Sequence, residues 1–223
     1  MKVVLASSNA HKISEIDALL SKLCPDIKVA SLREIGFNGG IDEDGSSFEE
    51  NAVIKAACPA SWGYIGIADD SGLCVDALGG APGIYSARYS GEGACDERNN
   101  EKLLKELEDV PDGRRGASFV CVMACVVPED SGIRVPEAIG DKELSELASL
   151  RSGKRCTAFT VRGECRGQIL SAARGNGGFG YDPLFFVPEK KLTFSQLSAA
   201  DKNEISHRGR AMKKFIRCFA ELL

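Results

Sequence analysis

The sequence predicts an α/β or α+β domain built around one mixed β-sheet, and three observations carry that prediction. Strand-like and helix-like segments interleave along the chain without an internal repeat. At 223 residues, 43% apolar and 27% charged, the chain is long enough for a substantial core and too apolar to be disordered. Glycine is abundant, 24 of 223 residues, and half of it is clustered, with eight glycines in residues 63–93 and four in 175–180. Such clusters mark turn-rich stretches and close backbone approaches.

In chain order, Lys2–Ala6 reads as a first strand that leads through Ser7, Ser8 and Asn9 into a helix. Ile13, Ile16, Leu19, Leu20 and Leu23 recur there at helical spacing. A short strand near Lys28–Leu32 precedes an acidic loop. Ser47 then opens a helix running at least to Ala57, with Ser47-x-x-Glu50 as its capping box. Ile65–Ala68 predicts a buried strand and Leu73–Val75 another, separated by a turn at Ser71–Gly72. A helix passes through Leu103, Leu104 and Leu107. Ser118–Val127 and Ala158–Leu170 predict longer strands, the second broken at Gly163–Glu164. The last helix, Ser206–Leu222, carries Met212, Phe215, Ile216, Phe219 and Leu222 on one stripe.

Charge and cysteine content exclude several function classes. The formal net charge of −4 and pI near 5.4 argue against a non-specific binder of nucleic-acid polymers, which carries a basic excess. The charge is separated along the chain. Ile41–Asp70 holds seven acids and one base, whereas Asp201–Arg217 holds six bases and two acids. Nine cysteines without a C-x-x-C pair, and only His11 and His207 to supply imidazole, make structural zinc a poor fit. The apolar start Val3–Ala6 stops at Ser7, too short for a secretory signal. No apolar run approaches the roughly 20 residues that span a membrane. Reduced, mostly buried thiols in a cytoplasmic protein are the expectation.

Five motifs remain that carry chemistry. Ser7–Ser8–Asn9-x-x-Lys12 at a strand-to-helix junction reads as an ordinary N-cap or as a phosphate cradle; Lys12 opposes the helix dipole, a penalty that a bound anion reverses. Glu43 lies outside the Ser47 cap, either as a solvated loop acid or as a ligand to a hard cation. Asp69 and Asp70 end a buried strand, where a turn cap explains one aspartate better than two. Gly175–Pro183 carries Phe179 and Tyr181 on a glycine-rich loop, a turn with a core plug or a stacking face for a base. Ser206–Arg210 opens the last helix with His207 and Arg208, again cations against the dipole, with Lys202 upstream. A solvated basic face suits Lys213 and Lys214 better than it suits His207 and Arg208. Together the motifs describe a nucleotide polyphosphate site with a metal.

On these residues the chain resembles the inosine/xanthosine triphosphate pyrophosphatase family, which removes deaminated purine nucleoside triphosphates. The resemblance is carried by Ser7–Lys12, Phe48–Ala56, Ala68–Gly91, Gly177–Phe186 and Ser206–Ala211, five blocks in family order over nearly the whole chain. It implies an α/β fold, an elongated mixed sheet flanked by helices in two lobes around a central cleft, forming one domain over residues 1–223 and a homodimer. It implies Mg²⁺-dependent hydrolysis of XTP, ITP and dITP to the monophosphate and pyrophosphate. By position, Ser7, Ser8, Asn9 and Lys12 would hold phosphates, helped by Lys55 and Ser71. Glu43 and Asp70 would bind Mg²⁺, and Asp70 would act as general base. Phe179 would stack on the purine, Gly180, Tyr181 and Asp182 would shape that pocket, and Lys202, His207 and Arg208 would read the base edge.

Three departures stand out. Ser8 occupies a position where Gly or Asn is common in the family. Pro59 follows Lys55 closely, so an early stop or kink is expected in that helix. Pro128–Cys156 is longer than the family's usual link and contains a helical-looking Lys142–Leu150 bounded by Gly140 and Gly153. The alternatives are a nucleotide-binding sensor, or a phosphohydrolase of different bond or base specificity, on the same fold.

Overall fold

The computed structural model describes residues 2–7 and 28–222. Strands β1 (Lys2–Leu5), β2 (Lys28–Ser31), β3 (Ile65–Val75), β4 (Gly116–Pro128), β5 (Cys156–Ile169), β6 (Phe185–Val187) and β7 (Leu192–Thr193) form one sheet in the order β2-β1-β3-β4-β5-β6-β7. It is mixed. β1 pairs in parallel with β2 and β3, Val3 lying opposite Val29 and Ile65, while β5–β6 and β6–β7 are antiparallel. Parallel neighbours need a crossover, and α1 (Phe48–Ala60) lies in the one that leads into β3. The other helices are α2 (Asp96–Glu106), α3 (Lys142–Ser152), α4 (Ala199–Ile205) and α5 (His207–Ala220).

The chain divides into two compact units, with boundaries inside β3, β4 and β5. The first comprises Met1–Asp70, Val122–Arg162 and Ala211–Leu223. There β1 and the first half of β3 are apolar and almost wholly buried, as a strand covered on both faces must be. The stripe on α5 buries Phe215 and Phe219, and Phe215 stacks on Phe159 of β5 with centroids 5.7 Å apart. α1 packs on α3, which fills much of the lengthened Pro128–Cys156 segment, with Asp141 as its N-cap and Gly153 closing its C-terminus. The second unit comprises Ser71–Cys121 and Gly163–Arg210. Its core is built on Phe119, Phe185 and Phe194, whose centroids lie 4.6–5.6 Å apart, with Leu73 and Leu103 alongside.

Several expectations are corrected. No turn separates Ala68 from Leu73: β3 runs unbroken through Asp69, Asp70, Ser71 and Gly72. These are turn-forming residues, but sheet pairing and burial override local preference. β5 likewise continues through Gly163 and Glu164. α5 begins where the sequence predicts it; the short α4 before it is not predicted, and is set off from α5 by the extended ψ of 157° at Ser206. Its Oγ accepts from Gly209 N at 3.1 Å, so Ser206 caps α5. Pro59 lies in the last turn of α1, one residue before its end at Ala60. The hydrogen bond that proline forfeits is the one to Lys55 O, near the helix terminus, and Lys55 itself sits in an intact turn. The helix expected through Ile13–Leu23 lies outside the described residues.

One glycine is set by close packing. A Cβ on Gly66 of β3 would stand 1.8 Å from Ala56 O of α1, so only glycine lets this helix approach the strand so closely. Ala52, Ala56, Ala57 and Ala60 supply α1 with the matching small face, all of them buried.

Candidate active site

Two clusters, one in each unit, contain most of the described site residues named from the sequence. In the first unit α1 begins at Ser47, whose Oγ accepts from Glu50 N at 3.1 Å. Glu50 reaches back one residue further than a capping box requires, accepting from Ser46 N at 2.6 Å and Ser46 Oγ at 2.9 Å. Gly45 N donates to Asn51 Oδ1 at 2.9 Å, which ties the acidic loop onto the helix. Glu43, upstream of the cap, is left for other work. Its Oε2 accepts from Lys55 Nζ at 2.7 Å, and the same Nζ donates to Asp70 Oδ1 at 2.8 Å.

Lys55 thus stands between the two carboxylates assigned to a metal by the resemblance. Burial is the largest single influence on its pKa and acts to lower it. The charges of Asp70 and Glu43 and their hydrogen bonds together outweigh burial, and the pKa stands above the ordinary lysine value. The cluster carries two carboxylates against one ammonium, while Asp69, only 2% exposed, belongs to the opposite face of the strand. Ser7 follows directly on β1, whose ladder continues past the strand through Ala6 N donating to Ile67 O at 2.7 Å. Ser8, Asn9 and Lys12 lie outside the described residues.

The donor chemistry suits a hard cation. Carboxylate oxygens of Glu43 and Asp70 already converge on a single positive atom. Among the described residues no three His, Cys, Asp or Glu side chains gather into a fuller ligand set. One or two carboxylates completed by water and substrate phosphates is the habit of Mg²⁺, not of a structural zinc. All the described cysteines are free, and burial pushes up the thiol pKa of Cys125, Cys156 and Cys165.

In the second unit the glycine-rich loop after β5 presents Phe179, 42% exposed, while its neighbours are internal. Asp182 is 2% exposed and organises the loop: its Oδ2 accepts from Phe179 N at 3.0 Å and from Lys202 Nζ at 2.5 Å. Lys202 comes from α4, which Ser198 caps by accepting from Asp201 N at 3.1 Å. The Lys202 ammonium lies 4.8 Å from the Phe179 ring centroid, and the Arg208 guanidinium 5.8 Å from it. Both approaches fall within cation–π range. Arg208 Nη2 also reaches Ser71 Oγ at 3.5 Å. An exposed aromatic ring is therefore flanked by two cations, with a serine next to one of them.

Tyr181 and His207 are placed more deeply. Tyr181 is buried, and its hydroxyl donates to Ser86 O at 2.9 Å; burial raises its pKa. His207 is 6% exposed, with its ring stacked on Phe119 at 4.8 Å and an interplanar angle of 12°. The division within the basic stretch is as expected, since Lys213 and Lys214 are exposed and His207 and Arg208 are buried.

Two participants were not singled out in the sequence. Asp96 Oδ2 accepts from Gly180 N at 2.6 Å, and Asn100 Nδ2 donates to Gly180 O at 2.9 Å. Asp96 reads locally as an ordinary acid in a first helical turn, and only its spacing of four from Asn100 hinted at a shared face.

The model of the Ham1 family matches residues 3–218. A dITP/XTP pyrophosphatase of Clostridium perfringens is 44% identical over 220 residues, covering 96% of this chain and 94% of that protein. One from Salmonella typhimurium is 46% identical over 213 residues, covering 95% and 94%. Among solved structures, a HAM1 protein from Coxiella burnetii superposes with a TM-score of 0.81 at 37% identity, covering 99% of both chains. The Staphylococcus aureus Ham1 protein superposes with a TM-score of 0.79 at 37% identity, covering 99% and 98%.

Proposed function

The chain belongs to the Ham1 family, and we propose that it hydrolyses non-standard purine nucleoside triphosphates (XTP, ITP and dITP) to the monophosphate and pyrophosphate, cleansing the nucleotide pool. The observation that carries the reading is the convergence of Glu43 and Asp70 on Lys55, two carboxylates and one ammonium at 2.7 and 2.8 Å. Phosphoryl transfer depends mainly on positioning and charge neutralisation, and this is a charge set suited to both.

Glu43 and Asp70 would hold Mg²⁺, which when bound neutralises charge on the phosphate oxygens. Asp70 takes the proton of the attacking water on a side-chain carboxylate oxygen. Lys55 would help to hold the phosphates as an ammonium donor. Ser7, with Ser8, Asn9 and Lys12, holds phosphates through hydroxyl, backbone N–H and ammonium donors, and Ser71 adds a hydroxyl. Phe179 stacks on the purine, within a pocket shaped by Gly180, Tyr181 and Asp182.

Lys202 and Arg208 account for base preference. Neither can accept a hydrogen bond, so they favour the six-position carbonyl of hypoxanthine or xanthine over the six-amino group of adenine. His207, stacked against Phe119, supports Arg208 from the adjacent position and completes the base-edge set. A cytoplasmic homodimer belongs to the same reading, which light scattering tests for the assembly; among the described residues no helix is long and apolar enough to cross a membrane.

The deciding experiment is a substrate panel with Mg²⁺ and pyrophosphate detection. Pyrophosphate from dITP, XTP and ITP, with little from ATP or GTP, is the expected result. Binding of ITP without turnover would instead indicate a sensor, and orthophosphate as first product a different phosphohydrolase.

A further inference from the structure

The exposed Phe179 ring depends on a backbone held from an unexpected direction. Helix α2 starts at Asp96, and its N-cap Cys95 makes no side-chain capping bond. Asp96 turns its carboxylate away from its own helix to accept from Gly180 N at 2.6 Å. One turn on, Asn100 donates to Gly180 O at 2.9 Å and to Asp96 O at 2.8 Å. Both neighbours of that amide are carbonyls, so its nitrogen must face them. Two side chains four apart on one helix therefore grip both backbone polar groups of a single residue.

Gly180 is the pivot of the loop. Its φ of +61° lies in the left-handed region, and there the chain parts into Phe179, turned outward, and Tyr181, turned inward. The inward side is anchored by Tyr181 on Ser86 O, the same carbonyl that Asn99 of α2 approaches at 3.4 Å. Asn99 also donates to Ala87 O at 3.2 Å and accepts from Ser90 N at 2.8 Å, which fastens α2 to that segment. The outward side is held by Asp182, whose Oδ2 accepts from Phe179 N and whose N donates to Phe179 O at 3.2 Å, besides the grip on Gly180.

We infer that Asp96 and Asn100 are positioning residues for base recognition: by clamping Gly180 N–H and C=O they fix where Phe179 offers its ring. The inference rests on the proposed nucleotide reading and adds the residues that pre-organise its stacking platform. A ring on an unclamped loop must be ordered at the moment of binding, and that cost falls on base affinity, not on phosphate chemistry.

Titration calorimetry with two probes separates these effects. Inosine monophosphate reports on the base site and pyrophosphate on the phosphate site. In Asp96→Ala, the Kd for inosine monophosphate is expected to rise about tenfold, as for loss of one well-made hydrogen bond, with pyrophosphate binding unchanged. Asp96→Asn retains an acceptor for Gly180 N and recovers most of the loss. Asn100→Asp, which sets a carboxylate against two carbonyls, is expected to bind inosine monophosphate more weakly than Asn100→Ala. In turnover of dITP, KM rises in the clamp variants and kcat is kept. Unchanged inosine monophosphate binding in Asp96→Ala, or an equal loss for both probes, overturns the clamp. A wild-type protein that releases no pyrophosphate from dITP, XTP or ITP overturns the nucleotide reading itself. A wild type that turns over normally beside an unaltered Asp96→Ala overturns only the clamp.

Discussion

Lys55 and Asp70, fifteen positions apart in sequence, meet at 2.8 Å between Nζ and Oδ1, and Glu43 closes the other side of the same ammonium at 2.7 Å. The pair is mostly buried, and each partner's charge is tolerated because the other is there. Removing the cation leaves two carboxylates facing each other.

Lys55→Met is therefore expected to cost about 1–3 kcal/mol, somewhat less than a fully buried pair because both side chains keep some solvent contact. The pH dependence has a definite sign. The folded-state pKa of Lys55 is raised above the ordinary 10.5, so its contribution is complete below about pH 10.5 and is lost as pH climbs through the folded value. Urea melts of wild type and Lys55→Met should differ by a constant amount from pH 7 to about pH 10 and converge above it. A difference that shrinks between pH 7 and 9 would contradict this.

Asp70→Asn keeps the size and hydrogen-bonding capacity of the side chain but not its basicity or charge. Turnover of dITP at saturating Mg²⁺ should fall at least about 10²-fold, with the thermal transition retained. Near-normal turnover would remove Asp70 from the chemistry.

Arg208→Ala should erode the preference for ITP over ATP while leaving part of the hydrolysis intact. Arg208 is buried and faces both the Phe179 ring and Ser71, so the variant loses a donor next to the stacking surface. The ratio of kcat/KM for the two substrates is the readout, and an unchanged ratio would count against base reading by this residue.

Gly66→Ala tests the packing of α1 on β3. The added carbon would meet Ala56 O at 1.8 Å, so strand or helix must move, at a cost of about 3 kcal/mol or more. Gly40→Ala is the control, with nothing within 4 Å of the added carbon, and is expected to be near neutral. Denaturant midpoints compare the two directly.

Much of the fold was legible because its signals are local. The Ser47 cap, the stripe on α5, the helix within Pro128–Cys156 and the apolar runs of β1 and β4 arise from contacts between residues two to four apart. The same locality misled at Asp69–Gly72 and at Gly163–Glu164. Those residues favour turns by themselves, yet neighbouring strands keep them extended. It also passed over α4, a seven-residue helix with no buried residue and so no apolar stripe to announce it.

For the site, the sequence alone determined which groups are chemically able to act: the acids around Glu43 and Asp70, the cations Lys202 and Arg208, the aromatic Phe179. Only the tertiary structure decided their partners. It set one lysine between Glu43 and Asp70, buried Asp182 beneath Lys202 and Phe179, stacked His207 on Phe119, and brought Asp96 and Asn100 to Gly180 eighty or more positions away. The physical reason is one of range. Caps and periodicities are settled within a helical turn, whereas a buried charge or a backbone amide is satisfied by whichever group the packing of distant elements brings within about 3 Å.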